Sequence, residues 1–336
     1  MSYVLLTRRN VLRSVGAALT VAITPTAGLA RVSTSPIDSL SLQAITVMRP
    51  LGRDMAGTIK AIAAIGYRNI ETLGALGAPV STLRQLLAES GMHSTSQHLY
   101  PASFYPQMLA WSRGQASLAD TLAKLSAVYA LDRMDDILAE GVRTAHVLGQ
   151  TFLVWSYIPS VDLQSPDRMA RVAARLNQGA RMCKAEGLTL AFHNGSQGFV
   201  PIKGVRPYDI LISETDPSLL KMELDVYWMT KVGCDPVAYL NANPGRYPML
   251  HLKDMDSSGG IVGLGRGVLD FGRILDAARS AGATTAFFEY DNPPDPINEA
   301  RSAFDKFKGW GITGTPAPRR VFLRGKRATL HLPVQS

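Results

Sequence analysis

At 336 residues, with 46% hydrophobic and 18% charged side chains, the chain is long enough to bury a sizeable core as one large α/β domain and does not require a second. No apolar run reaches the length of an ordinary membrane span, which argues against stable membrane insertion. The net charge of +8 is no argument for a nucleic-acid partner, because three charges sit on Arg8, Arg9 and Arg13 and five on Arg319, Arg320, Arg324, Lys326 and Arg327, leaving the chain between them neutral.

The N-terminus reads as a removable address: Thr7-Arg8-Arg9-Asn10-Val11-Leu12-Arg13, an apolar stretch from Val15 to Ile23, then Gly28-Leu29-Ala30 where a signal peptidase requires small residues. It resembles a twin-arginine export signal, which implies a soluble periplasmic or secreted protein after removal of residues 1–30. An ordinary N-terminal helix is the competing reading.

From Ser41 onward, short β-branched or apolar runs alternate with amphipathic stretches, as in βαβ units around a parallel sheet. The pattern predicts strands over Leu42–Val47, Asn69–Thr72, His93–His98, Thr151–Trp155, Leu188–His193, Lys221–Asp225, Pro248–Lys253 and Thr285–Tyr290. Met169, Val172, Ala173, Leu176, Ala180 and Cys183 recur at helical spacing, and Phe271, Ile274, Leu275 and Ala278 do the same. Gly66, Gly91, Gly149, Gly187 and Gly282 punctuate the ends of helices shortly before strands. Eight such units predict an α/β fold, a single-domain (β/α)8 barrel over residues 31–312; a doubly wound open sheet shares the grammar, but no G-x-G-x-x-G follows the first strand.

Residues 101–131 are too long for a usual βα connection, and with Tyr100, Phe104, Tyr105 and Trp111 they read as an insertion able to cap a site. After Trp310 the text becomes Thr-Gly-Thr-Pro-Ala-Pro and a basic tail over 313–336, where Val321–Leu323 and Thr329–Leu332 can form strands without an evident partner. Two cysteines make no disulfide framework: Cys183 falls on an apolar helical stripe and Cys234 in a loop, with a bridge between them left open.

Barrel chemistry is built where strands hand over to their following loops. His98 closes predicted strand three, His193 strand five, Asp225 strand six, His251 strand seven and Glu289 strand eight. The last four are spaced by 32, 26 and 38 residues, each about one βα unit, so adjacent strands present neighbouring imidazoles and carboxylates. Two nitrogens and two carboxylates suit one borderline divalent ion, Mn2+, Zn2+, Co2+ or Fe2+, with positions left open for substrate oxygens. The competing reading gives each residue a structural hydrogen bond.

Strand alternation turns Glu223 inward with Asp225, and Lys253 inward with His251. Glu223 reads as a partner of a ligand or of a buried ion pair; Lys253 reads as a hold on a sugar oxygen or an enolate, or as a salt bridge to Glu223 or a neighbouring carboxylate. Glu71, closing strand two, is a candidate base or substrate hydrogen-bonder, or a solvated loop acid. Trp155, Tyr157, Tyr227 and Trp228 lie just beyond strands four and six, where rings can stack on a pyranose or simply pack; Trp155, Tyr157 and Trp228 join His98 and Asn194 as candidate substrate contacts.

Several segments together resemble the xylose isomerase-like TIM barrels, many of them called sugar phosphate isomerases/epimerases: Gly66-Tyr67-Arg68-Asn69-Ile70-Glu71, Ala191-Phe192-His193-Asn194, Glu223-Leu224-Asp225-Val226-Tyr227-Trp228, His251-Leu252-Lys253-Asp254-Met255-Asp256, Gly263 through Phe271, and Phe288-Glu289-Tyr290-Asp291-Asn292. The resemblance spans about 40–310. It implies a metal held by Glu, Asp, His and Glu from strands five to eight, with the two glutamates moving protons at adjacent sugar carbons. Asp225, His251 and Glu289 fit the last three places, and His193 stands where the first glutamate would be. A related group with histidine on this strand acts on 3-keto-glycosides by metal-assisted β-elimination.

The leading expectation is a metal-dependent isomerase or epimerase-like enzyme on a non-phosphorylated sugar or keto-sugar, with Glu289 or His193 taking the proton and Lys253 steadying the enolate. The partner is thus a small carbohydrate, with an oligomer left open. A 3-keto-glycoside lyase or hydrolase, and an inactive exported carbohydrate-binding barrel, are the alternatives.

Overall fold

The computed structural model describes Ile37 and residues 40–310; the stretch over 1–30 expected to be an export signal and the tail over 313–336 lie outside the described residues. Eight parallel strands close a barrel: β1 Leu40–Gln43, β2 Ile70–Leu73, β3 Ser96–His98, β4 Phe152–Trp155, β5 Thr189–His193, β6 Leu220–Asp225, β7 Met249–Leu252 and, after a small hairpin, β10 Thr285–Phe288. Closure runs through β10 and β1, where Leu42 pairs with Phe288 and Leu40 with Ala286. This excludes the open doubly wound sheet.

Local chemistry starts the helices where the pattern places them. Asp54 accepts from Gly57 N at 2.8 Å to open the helix Met55–Ile65, and Asp270 accepts from Arg273 N at 3.0 Å to open Phe271–Ser280. The helix Pro166–Ala185 starts on Ser165 with proline in its first turn, and buries the predicted stripe from Met169 to Cys183. Gly149 ends the helix Met134–Leu148 at φ +73°, a conformation that costs glycine little. Among the described residues, no helix is long and apolar enough to cross a membrane.

Two features depart from the expected pattern. Strand β1 ends at Gln43 rather than Val47, because the Gln43 side chain accepts from Ile45 N at 3.3 Å and starts a 3-10 turn over Ala44–Val47. Between β7 and β10 the chain forms an antiparallel pair, β8 Asp254–Met255 and β9 Ile261–Val262, which periodicity does not reveal. Its pivot is the buried Asp254 carboxylate, which accepts 2.8 Å bonds from the N–H groups of Met255, Gly265 and Gly267; a Cβ on Gly267 would lie 2.3 Å from Asp254 Oδ1. Cys183 and Cys234 are both free and buried.

The insertion forms two helices, Tyr105–Ser112 and Leu118–Val128. They are tied together by Gln107, which donates to Thr121 Oγ1 at 3.0 Å and accepts from Lys124 Nζ at 2.6 Å. Inside the barrel, Val154, Ala191, Met249 and Phe287 form a buried apolar plug. The next inward positions toward the C-terminal mouth are His193 on β5, His251 on β7 and Glu289 just after β10, so the polar cluster rests on an apolar floor.

Candidate active site

Directly above the plug, three imidazoles surround one carboxylate oxygen. Glu223 Oε2 lies 3.0 Å from His98 Nε2, 3.0 Å from His193 Nδ1 and 3.2 Å from His251 Nε2. Glu71 Oε2 approaches His251 Nε2 at 2.7 Å and receives the Gln43 amide at 2.7 Å. Both glutamates are fully buried. The expectation of Glu71 as a base is therefore corrected: it anchors a histidine beneath the cavity, out of substrate reach.

The upper nitrogens of the same rings point at a second set of carboxylates. His251 Nδ1 contacts Glu289 Oε2, and His193 Nε2 lies 3.8 Å from Asp225 Oδ2. Asp225 Oδ1 is fixed by the N–H groups of Tyr227 and Trp228 at 2.9 and 3.1 Å, so its other oxygen is aimed into the site. That oxygen is buried without an aligned hydrogen-bond donor.

His193, Asp225, His251 and Glu289 each offer one ligand atom, and all four atoms lie within 4.8 Å of one another. Each imidazole keeps one ring nitrogen on a buried carboxylate below, the arrangement that orients metal-binding histidines and raises their basicity. The Asp225 oxygen, which has no aligned donor and only the Lys253 ammonium at 3.3 Å as a charge partner, and this donor set fit a divalent cation, so the buried group can hold one. His98, His193, Glu223 and His251 form a second, deeper group of the same kind, in which Glu223 Oε2 meets all three rings while its Oε1 has no hydrogen-bond partner.

Lys253 carries the site's fixed positive charge. Its Nζ lies 3.0 Å from Glu289 Oε1, 3.0 Å from Asp291 Oδ2 and 3.3 Å from Asp225 Oδ2, so the expected salt bridge is made to these neighbouring carboxylates rather than to Glu223. Burial alone would lower the pKa of Lys253, but Asp225, Asp291 and Glu289 outweigh it and push it up. Burial would likewise lower His98, yet Glu71 and Glu223 push it up to about 9. His251 is raised for the same reason by Glu223 and Glu289. His193 goes the other way: burial, reinforced by His251, lowers it, leaving a neutral ring with a free lone pair. Burial pushes the Asp291 carboxyl up to about 7 against the pull of Lys253.

A cavity of about 550 Å3 opens over these groups. Of the residues expected at the substrate, His98, Tyr157, Trp228 and Asn194 border it together with His193, Lys253 and Glu289. Asn194 is nevertheless fully buried, and its amide exchanges two 3.0 Å bonds with the Asp225 backbone, so it holds β5 to β6. Trp155 is corrected outright: it is fully buried, packs on Tyr129 with ring centroids 4.7 Å apart, and does not line the cavity. Tyr157 ties the insertion to the mouth through Ser126 Oγ at 2.9 Å.

Two contributors escaped the sequence reading. Asp291 lines the cavity and grips Lys253, and two-residue alternation from Glu289 would have found it. Gln43 also lines the cavity, but placing β1 too late hid its position.

Residues 59–308 match the family model described as a xylose isomerase-like TIM barrel. The chain is similar to two solved sugar phosphate isomerase/epimerase structures from Parabacteroides distasonis, both at a TM-score of 0.66. One is 18% identical, covering 84% of this chain and 97% of the other; the second is 22% identical, covering 82% and 100%. A solved IOLI protein with a bound zinc atom is similar at a TM-score of 0.54 and 13% identity, covering 82% and 96%. At these identities the likeness carries the fold alone. No curated protein matches the chain.

Proposed function

The chain belongs to the xylose isomerase-like TIM barrel family, and from that premise we propose that it is a divalent-metal-dependent, isomerase- or epimerase-like enzyme that moves a proton next to the carbonyl of a non-phosphorylated sugar or keto-sugar. One observation carries the reading: four ligand atoms from four consecutive barrel strands meet within 4.8 Å beneath an open cavity, with an ammonium group beside them.

His193, Asp225, His251 and Glu289 would hold the ion, and Mn2+, Zn2+, Co2+ and Fe2+ all suit this donor set. When bound, it would supply Lewis acidity to a substrate carbonyl. The chain's own groups do the rest. Glu289, kept anionic because Lys253 and His251 outweigh its burial, accepts the α-proton, with His193 as the other acceptor facing the site. The Lys253 ammonium, held by Asp291, donates to the oxygen on which negative charge develops. Trp228 and Tyr157 flank the ring, and the insertion helices shield the site from water. Glu71 and Glu223 set the tilt of the histidines without touching substrate.

The test is α-proton exchange in D2O, followed by NMR, on a panel of ketoses and 3-keto-glucosides with manganese-loaded protein. Exchange without bond cleavage supports isomerisation. Release of an aglycone supports β-elimination, which starts from the same proton abstraction. Ligand binding indifferent to chelator, with no exchange across the panel, contradicts catalysis and leaves a carbohydrate-binding barrel.

We also propose export of the folded protein, on the motif Arg8-Arg9 and the apolar stretch after it. Replacing both arginines with lysine is expected to leave uncleaved precursor in the cytoplasm, read by fractionation and immunoblotting; undiminished export overturns the assignment.

A further inference from the structure

We propose that the natural substrate is not a free sugar but a keto-glycoside, whose ring ketone keeps the carbonyl the reaction needs, with an apolar aryl or alkyl aglycone, and that the insertion helices supply the aglycone subsite. This rests on the carbohydrate reading above and specifies the substrate class. The cavity is chemically divided. The wall from β5 onward carries His193, Lys253, Glu289 and Asp291. The opposite wall, from the end of β2 and from the insertion, carries Leu73, Met108, Trp111, Leu118, Leu122 and Leu125.

Leu73, Met108 and Leu125 are buried at the base of that wall, Trp111 and Leu122 are half-buried, and Leu118 stands 56% exposed. A polar monosaccharide offers this surface nothing that water does not, whereas an apolar group would remove it from solvent. The two walls belong to one continuous space of about 550 Å3, within the roughly 300–1,000 Å3 typical of sites for drug-sized ligands and more than one sugar ring fills. The half-buried Trp111 indole borders the cavity and supplies an aromatic surface for an aromatic aglycone. The helix pair is held in place by Gln107 and by Arg113, whose Nη2 donates to Gly52 O at 2.7 Å, so the wall is prebuilt.

Calorimetry on the full chain with matched phenyl and methyl glycosides of glucose, galactose, mannose and xylose, with phenol as the sugar-free control, tests this. For at least one sugar the phenyl glycoside is expected to bind about tenfold or more tightly than its methyl partner. That ratio should fall towards one in Trp111→Ala and in Leu118→Asp; the second alters an exposed position in the first turn of its helix, where an aspartate is well tolerated. If no phenyl glycoside binds more tightly than its methyl partner, or if the ratio survives both substitutions, the proposal is overturned while the carbohydrate reading stands. Phenol binding as tightly as every phenyl glycoside overturns the carbohydrate reading instead, because the sugar would then contribute nothing.

Discussion

Glu289→Gln is expected to slow α-proton exchange by about 10²–10⁴-fold, the range typical of removing a positioned general base. The substitution keeps the shape of the side chain, but its amide no longer accepts a proton. It also removes a negative charge that Lys253 and His251 both contact. The loss should fall on kcat more than on KM, since Trp228, Tyr157 and the apolar wall remain to bind substrate. Single-turnover exchange with the most reactive sugar of the panel measures it. A loss below about threefold would remove Glu289 from the proton path and leave His193 as the base.

Glu223→Gln should have the largest effect on stability. One oxygen of Glu223 serves three buried imidazoles at 3.0, 3.0 and 3.2 Å, and Glu223 is fully buried. Burial would raise its pKa, but His251 and the hydrogen bonds from all three rings outweigh that and keep it an anion. A neutral amide presents its own N–H donors to rings that need an acceptor, and breaking a buried charge network from one side costs about 3–5 kcal/mol. Urea denaturation in the presence of chelator reads this without the contribution of bound metal. The histidines would also lose their fixed tilt, so metal affinity should drop about 10–100-fold. Stability within about 1 kcal/mol of the unaltered protein would mean that the rings find other partners.

The barrel was legible because eight apolar runs separated by amphipathic stretches are a long-range pattern that no single residue can obscure. The ligand set was legible for a simpler reason: in a closed parallel barrel, inward-facing polar residues near the strand ends converge on the axis, and His193 and Asp225 end their strands, His251 is the last residue but one of β7 and Glu289 directly follows β10. What escaped depended on depth and on loop geometry. Glu71 shares the inward face, but only the packed structure shows His251 closing over it. Trp155 was misread because alternation was not applied to β4, where Val154 faces inward and Trp155 faces the outer layer against Tyr129. Asp291 was missed although alternation carried two residues past Glu289 reaches it; the loop beyond, held by Arg49 donating to Pro294 O at 3.0 Å and by Asn292 at φ +53°, has no local sequence signal.

Anomalous diffraction from manganese-soaked crystals of the full chain tests the central claim most directly. One peak is expected about 2.0–2.3 Å from donor atoms of His193, Asp225, His251 and Glu289, with Lys253 displaced from at least one of its carboxylates. No peak at saturating manganese, with Lys253 still bridging Asp225, Glu289 and Asp291, would contradict the account, because the lysine would then be the only cation this site holds.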